Sequence, residues 1–184
     1  MLELSLHILD IAENSTRANA SLVEITVTED LVNDVFSFEI RDNGDGMDSQ
    51  TIERAMDPFY TTKKVRRVGL GLPMLAQACE RAGGRFEIES VVGAGTRVYA
   101  GFRHSHIDRQ PLGDIAGVVS MLILGNPEKD FLYTHVINGS VYSLDTREIR
   151  RELGDIPLNH MEVINMIRDN IQEGILELRE MHAA

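Results

Sequence analysis

The chain reads as an α/β protein, a helix-backed sheet over residues 1–103 followed by a small α+β unit over residues 104–184. Three observations carry that expectation. Leu4, Ile8, Ile11 and Ala12 recur at helical spacing between Leu2 and Ala18, which gives an amphipathic opening helix ending near Asn19. SLVEITVTEDL and VFSFEIRD alternate as strands on either side of Asn33 and Asp34, and GRFEIESVVGAGTRVYAGF forms a second hairpin joined at Gly93 to Gly95. Between these hairpins, LPMLAQACERAGG has the apolar stripe and glycine stop of a second helix.

The remaining elements follow in order. DSQTIERAM is a short helix capped by Asp48 or Ser49, after which Pro58 interrupts regular structure and DPFYTTKKVRRVGLG runs on as a basic loop. HSHIDRQPLGD has the composition of a linker, and the apolar segment from Ile115 to Leu124 stops at GNP. FLYTHVINGSVYSLD is a hairpin turning at Asn138-Gly139, and DTREIRREL and NHMEVINMIRDNIQEGILELRE are helices.

Composition sets the class of function. With 184 residues and 43% apolar content the chain buries a real core. Cys79 is the single cysteine and has no partner for an internal disulfide. No apolar stretch reaches the roughly 20 residues of a membrane span, and MLELSLHILD lacks the basic start of a signal peptide. A cytoplasmic setting is expected. The formal charge of -11 argues against nucleic acid as a partner, because phosphate binding calls for a basic face. Acidity is shared, with 11 basic and 16 acidic residues in 1–103 and 7 and 13 in 104–184, so KKVRR at Lys63 to Arg67 stands out locally.

Three segments carry chemistry. Asp10 and Asn14 are four apart on the opening helix and share a face, setting a carboxylate beside an amide oxygen suited to Mg²⁺; a plain polar helix face has the same pattern. RDNGDGMD supports two readings, a tight turn or a ligand site in which Asp42 accepts from an exocyclic amine while Gly44 and Gly46 admit a flat ligand. In VGLGLPML, Gly69 and Gly71 precede a helix whose free N–H groups suit an oxyanion, with Lys63 and Lys64 near in sequence. Neither a full dinucleotide fingerprint nor a Walker lysine motif is present.

HILDIAENSTRANAS, RDNGDGMD, DPFYTTKK with VGLGLPML, and GAGTRVYAGF occur in this order at domain-sized spacing, and together they resemble the GHKL ATP-binding superfamily of gyrase-type topoisomerases, heat-shock chaperones, sensor histidine kinases and MutL proteins. DPFYTTK followed by GLGL is most similar to the catalytic domain of a sensor histidine kinase. The resemblance covers roughly residues 5 to 103 and implies a Bergerat-type two-layer α/β sandwich with helices on one face of a mixed sheet. It implies ATP and Mg²⁺ as cofactors. Asn14 would hold Mg²⁺, Asp10 would polarise water or the attacking group, and Asp42 would pair with the adenine amine. Gly44, Gly46 and Met47 would border the nucleotide, Phe59 would sit under a lid, and Thr96 would support Asp42 or its bridging water. Thr62, Lys63, Gly69, Leu70, Gly71 and Leu72 would line the triphosphate.

The departures shape the expected activity. Asp10 is one methylene shorter than the glutamate of the ATP-hydrolysing members, which predicts slow or absent hydrolysis. Before Leu2 there is no segment for the helical hairpin that carries a sensor kinase's phospho-acceptor histidine, so the expected action is that of an ATP-dependent kinase or ATPase on a separate protein, with self-pairing a further expectation. The alternative is a nucleotide-dependent switch without turnover. His7 reads as a polar helix residue, and His104, His106 and Asp108 as a polar linker, because a zinc site there lacks an evident fourth ligand.

Overall fold

A computed structural model describes residues 3–57 and 71–182. The loop expected after Pro58, with Phe59, Thr62, Lys63, Gly69 and Leu70, lies outside them.

Helix α1 (Leu4–Arg17) buries Leu4, Ile8, Ile11, Ala12 and Ser15 along one stripe. Strands β1 (Leu22–Asp30) and β2 (Val35–Asp42) pair antiparallel, from Val23 opposite Asp42 to Asp30 opposite Val35. Val23, Ile25 and Val27 point into the core while Glu24, Thr26 and Thr28 stay half-exposed, the alternation of a sheet with one covered face. Asp48 caps α2 (Ser49–Ala55) by accepting from Thr51 N at 2.8 Å, which decides between the two cap candidates. The Thr51 hydroxyl, together with this backbone amide, holds its carboxyl below the usual aspartate range. Helix α3 (Gly71–Arg81) precedes β3 (Arg85–Val91) and β4 (Gly95–Arg103), which form the second hairpin.

Beyond β4 the chain adds α4 (Ile115–Gly125), β5 (Asp130–Ile137), β6 (Ser140–Asp145), α5 (Thr146–Leu153) and α6 (Met161–Met181). The strands form one mixed sheet in the order β3-β4-β2-β1-β5-β6, in which β5 runs parallel to β1 and the other pairs are antiparallel. Sheet and core therefore run unbroken across residues 103 and 104, and Phe131, Tyr133 and Ile171 join Ile25 and Phe38 in one apolar cluster.

The segment 104–114, expected as a linker, is tied at both ends. Asp34 accepts from Arg103 Nε at 2.9 Å, Ser105 N at 2.8 Å and Ser105 Oγ at 2.7 Å, donors that hold its carboxyl down to about 2. Leu4 N and Ser5 N, at the start of α1, donate to Pro111 O and Leu112 O at 2.9 and 2.8 Å. This segment covers His7, which is buried where a polar surface residue was expected; burial pushes its pKa down.

Candidate functional site

The site is built at the end of β2. Asp42 lies opposite Thr96 of β4 in the strand register, and its Oδ1 accepts from Gly44 N at 2.9 Å and Thr96 N at 3.2 Å. Its Oδ2 accepts from Ser15 Oγ of α1 at 2.6 Å. Three donors from three chain segments thus orient one half-exposed carboxylate. Beside it opens a cleft of about 100 Å³ whose floor is Ile11, Ile40, Leu72, Ile88 and Val98. Met47, Gly46, Thr96, Ser15 and Asn14 complete its wall. An apolar slot with a fixed acceptor at one end suits a flat heteroaromatic ring bearing an amine.

A wider hollow of about 360 Å³ lies behind the same strand ends and shares Asp42 and Thr96. Its wall is the polar outer face of the sheet, with Glu24, Arg41, Glu89 and Arg97, and Arg97 is already paired with Glu39 at 2.7 Å. The smaller cleft is therefore the better match to the chemistry.

The two glycines of RDNGDGMD are required by the chain itself. A Cβ on Gly44 would meet Ala18 O, and one on Gly46, where φ is +68°, would meet Val91 O. Gly46 borders the cleft, whereas Gly44 is turned toward α1. Two serines without a motif of their own support the site, Ser15 in the cleft wall and Ser90 behind it. Ser15, 4% exposed, ties α1 to Asp42. Ser90 of β3 accepts from Met47 N at 2.8 Å, donates to Gly95 O at 3.0 Å and bonds Thr96 Oγ1 at 2.8 Å. A local signal for Ser90 did exist, since a hairpin closed at Gly93 to Gly95 pairs Ser90 with Thr96 directly.

On α1 the two residues of the expected pair have different surroundings. Asn14 is exposed and borders the cleft, its Oδ1 accepting from Arg17 Nη2 at 2.9 Å. Asp10 does not border the cleft; its carboxylate lies against Gly71, at the positive end of α3, where any side chain on Gly71 would collide with it. Cys79 is buried and its thiol is pushed up to about 12 by burial, which leaves it unreactive.

Elsewhere, His104 Nε2 lies 3.7 Å from Glu29 and His106 Nδ1 3.9 Å from Asp108, so the two imidazoles face different carboxylates. No cluster of three or more His, Cys, Asp or Glu side chains able to hold a metal occurs among the described residues. Among those residues no helix is long and apolar enough to cross a membrane.

Known proteins share both pattern and fold. Residues 2–106 match the family model of histidine kinase-, DNA gyrase B- and HSP90-like ATPases. The sensor kinase CckA of Brucella abortus (strain 2308) is 39% identical over 64 residues, 34% of this chain and 7% of that one. The sensor histidine kinase YxdK of Bacillus subtilis (strain 168) is 35% identical over 68 residues, 35% of this chain and 21% of that one. The chain thus spans a small part of the length of these relatives. Among solved structures, the N-terminal domain of a DNA repair protein superposes with a TM-score of 0.54 at 17% identity, over 79% of this chain and 53% of that one, a likeness of fold. With an ordered set of motifs, a mixed sheet backed by helices and a family match over more than half its length, the chain belongs to the histidine kinase-, DNA gyrase B- and HSP90-like ATPases.

Proposed function

We propose that the chain binds ATP with Mg²⁺ and acts as a histidine kinase-like ATPase or protein kinase toward a separate protein, in signalling or regulation. The observation that carries this reading is Asp42, a carboxylate oriented by Ser15, Gly44 and Thr96 at the end of an apolar slot. Adenine would lie on Ile40, Ile88, Met47 and Leu72 with its amine toward Asp42, so that Leu72 would meet the base and not the triphosphate expected of it. The phosphates would extend along α1 past Asn14 toward the first turn of α3, where Gly71 begins the helix.

The residues present fit Mg²⁺. Asn14 Oδ1 already serves a cation, the Arg17 guanidinium, and Mg²⁺ normally takes few protein ligands and completes its shell with phosphate oxygens and water. Bound there, the ion would neutralise phosphate charge. Asn14 would orient the phosphate end, Asp42 the base end, and Asp10, once clear of Gly71, would hold the proton of the attacking group. In this reading residues 1–103 bind nucleotide and residues 104–184 meet a protein partner or a second copy of the chain.

Asp10 against Gly71 also favours a second reading, a switch in which nucleotide occupancy changes partner binding without turnover. ATP with Mg²⁺ should raise the melting temperature of wild type, by the equivalent of about 2.7 kcal/mol at 100-fold the dissociation constant, and leave Asp42→Asn unmoved. An unmoved wild type would refute nucleotide binding. Phosphate release or phosphoprotein formation that disappears in Asp10→Asn identifies the enzyme, and ATP binding with neither identifies the switch.

A further inference from the structure

We infer that Ser90, which does not border the cleft, sets which purine the cleft accepts, by fixing the direction of the Thr96 hydroxyl. The inference rests on the nucleotide-binding reading and adds a positioning residue to it. A serine hydroxyl has one proton and two lone pairs. Ser90 Oγ uses its proton on Gly95 O at 3.0 Å, because a carbonyl can only accept, and one lone pair on Met47 N at 2.8 Å, because an amide N–H can only donate. One lone pair is left for Thr96 Oγ1 at 2.8 Å. With the Ser90 proton held on Gly95 O, Thr96 is the donor between the two hydroxyls, and lone pairs of Thr96 Oγ1 are what a ligand meets.

The same accounting holds next door. Ser15 spends its proton on Asp42 Oδ2 at 2.6 Å, and Asp42 is acceptor-only as a carboxylate. Asp42, Thr96 and Ser15, all bordering the cleft, thus present acceptors alone. Such a wall pairs with the exocyclic amine of adenine. It sets lone pair against lone pair for the 6-carbonyl of hypoxanthine or guanine. Freed from Ser90, the Thr96 hydroxyl could turn and donate to that carbonyl, so the discrimination resides in a residue the ligand never touches.

The test compares dissociation constants for ATP and inosine triphosphate, with Mg²⁺, by calorimetry on the full chain. Wild type should prefer ATP by about tenfold or more, the effect of one mismatched hydrogen bond. Ser90→Ala should bring the two constants to within about threefold of each other, mainly by improving the inosine nucleotide, and Ser90→Thr, which keeps the hydroxyl, should restore the preference. A general loosening of the site would weaken both nucleotides together and leave their ratio unchanged. If Ser90→Ala loses its cooperative melt, Ser90→Cys takes its place with the same expected direction. Equal binding of both nucleotides by wild type would overturn the acceptor-only wall, and a wild-type ratio in Ser90→Ala would overturn the role of Ser90 while leaving the cleft reading intact. Failure of wild type to bind either nucleotide would remove the cleft reading itself.

Discussion

The central strand β1 has a carboxylate cluster near each end, and the two are built differently. Near Val23, Asp42 receives three hydrogen bonds yet faces a cavity lined by apolar side chains. At the far end, Glu29 of β1 accepts from His135 Nε2 at 2.9 Å while His135 Nδ1 meets Tyr133 Oη at 2.7 Å. His104 and Arg179 close around the same carboxylate at 3.7 and 3.6 Å. His135 is 0% exposed. Both clusters contain well-bonded acids, so hydrogen bonding alone does not mark a site. What separates them is where the remaining acceptor capacity points: into an open slot for Asp42, into surrounding side chains for Glu29.

The largest effect expected is on stability, at the closed end. Glu29→Ala leaves His135 buried without its Nε2 partner and strips the carboxylate from three basic side chains, which should cost about 3 kcal/mol. ATP should still raise the melting temperature of that variant. Asp42→Asn should do the reverse, with a loss of about 1 kcal/mol in the ligand-free protein and no response to ATP. Denaturant melts with and without nucleotide measure both, and the contrast between the two ends fails if the smaller stability loss belongs to Glu29→Ala.

Much of the cleft end was legible in the sequence, because its parts are local. The periodicity of α1, the two glycines that follow Asp42 and the hairpin at Gly93 to Gly95 are visible in short windows. The closed end was not legible. Glu29 and His135 meet through the parallel pairing of β1 with β5, a contact between residues 106 apart in sequence that no local pattern encodes. The same pairing explains why residues 104–184, which read as an appended unit, extend the sheet. The burial of His7 is hidden for a related reason: helical spacing places it on a stripe beside Asp10, and the return of the 104–114 segment over α1 covers it.

That burial gives the next effect an explicit sign. His7 is 2% exposed, its Nδ1 finds no hydrogen-bond partner among the described residues, and its pKa lies below the ordinary 6.5, chiefly because burial disfavours the charged ring. Below pH 6.5 the unfolded chain takes up a proton at this position that the folded chain resists, so stability should fall as pH drops from 6.5 toward the folded-state pKa. Glu29 also has a lowered pKa; its contribution is complete above the unfolded value near 4.5 and disappears only as pH falls through the folded value. Burial by itself would raise that pKa, and the His135 bond together with the nearby positive charges outweighs it. Melts of wild type between pH 7 and pH 5 should therefore show a decline that is reduced in His7→Leu and retained in Glu29→Gln.

The smallest effect separates distance from burial as the cause of the contrast. Helix α6 directs two arginines at carboxylates. Arg168 reaches Asp114 at 2.9 Å and Arg179 reaches Glu29 at 3.6 Å, and distance alone would make the Asp114 pair the stronger. The acceptor's surroundings argue the other way: the side chain of Asp114 is 53% exposed and that of Glu29 is 14% exposed. Water already solvates Asp114 and screens its partner, so Arg168→Ala should change stability by no more than about 0.5 kcal/mol. Glu29 has little water to replace a lost cation, so Arg179→Ala should cost about 1 kcal/mol despite the longer separation. High salt should shrink the first loss more than the second, because screening acts mainly on exposed charges. A larger loss from Arg168→Ala would mean that proximity, and not enclosure, governs the carboxylates of this protein, and Asp42 and Glu29 would then need to be told apart on other grounds.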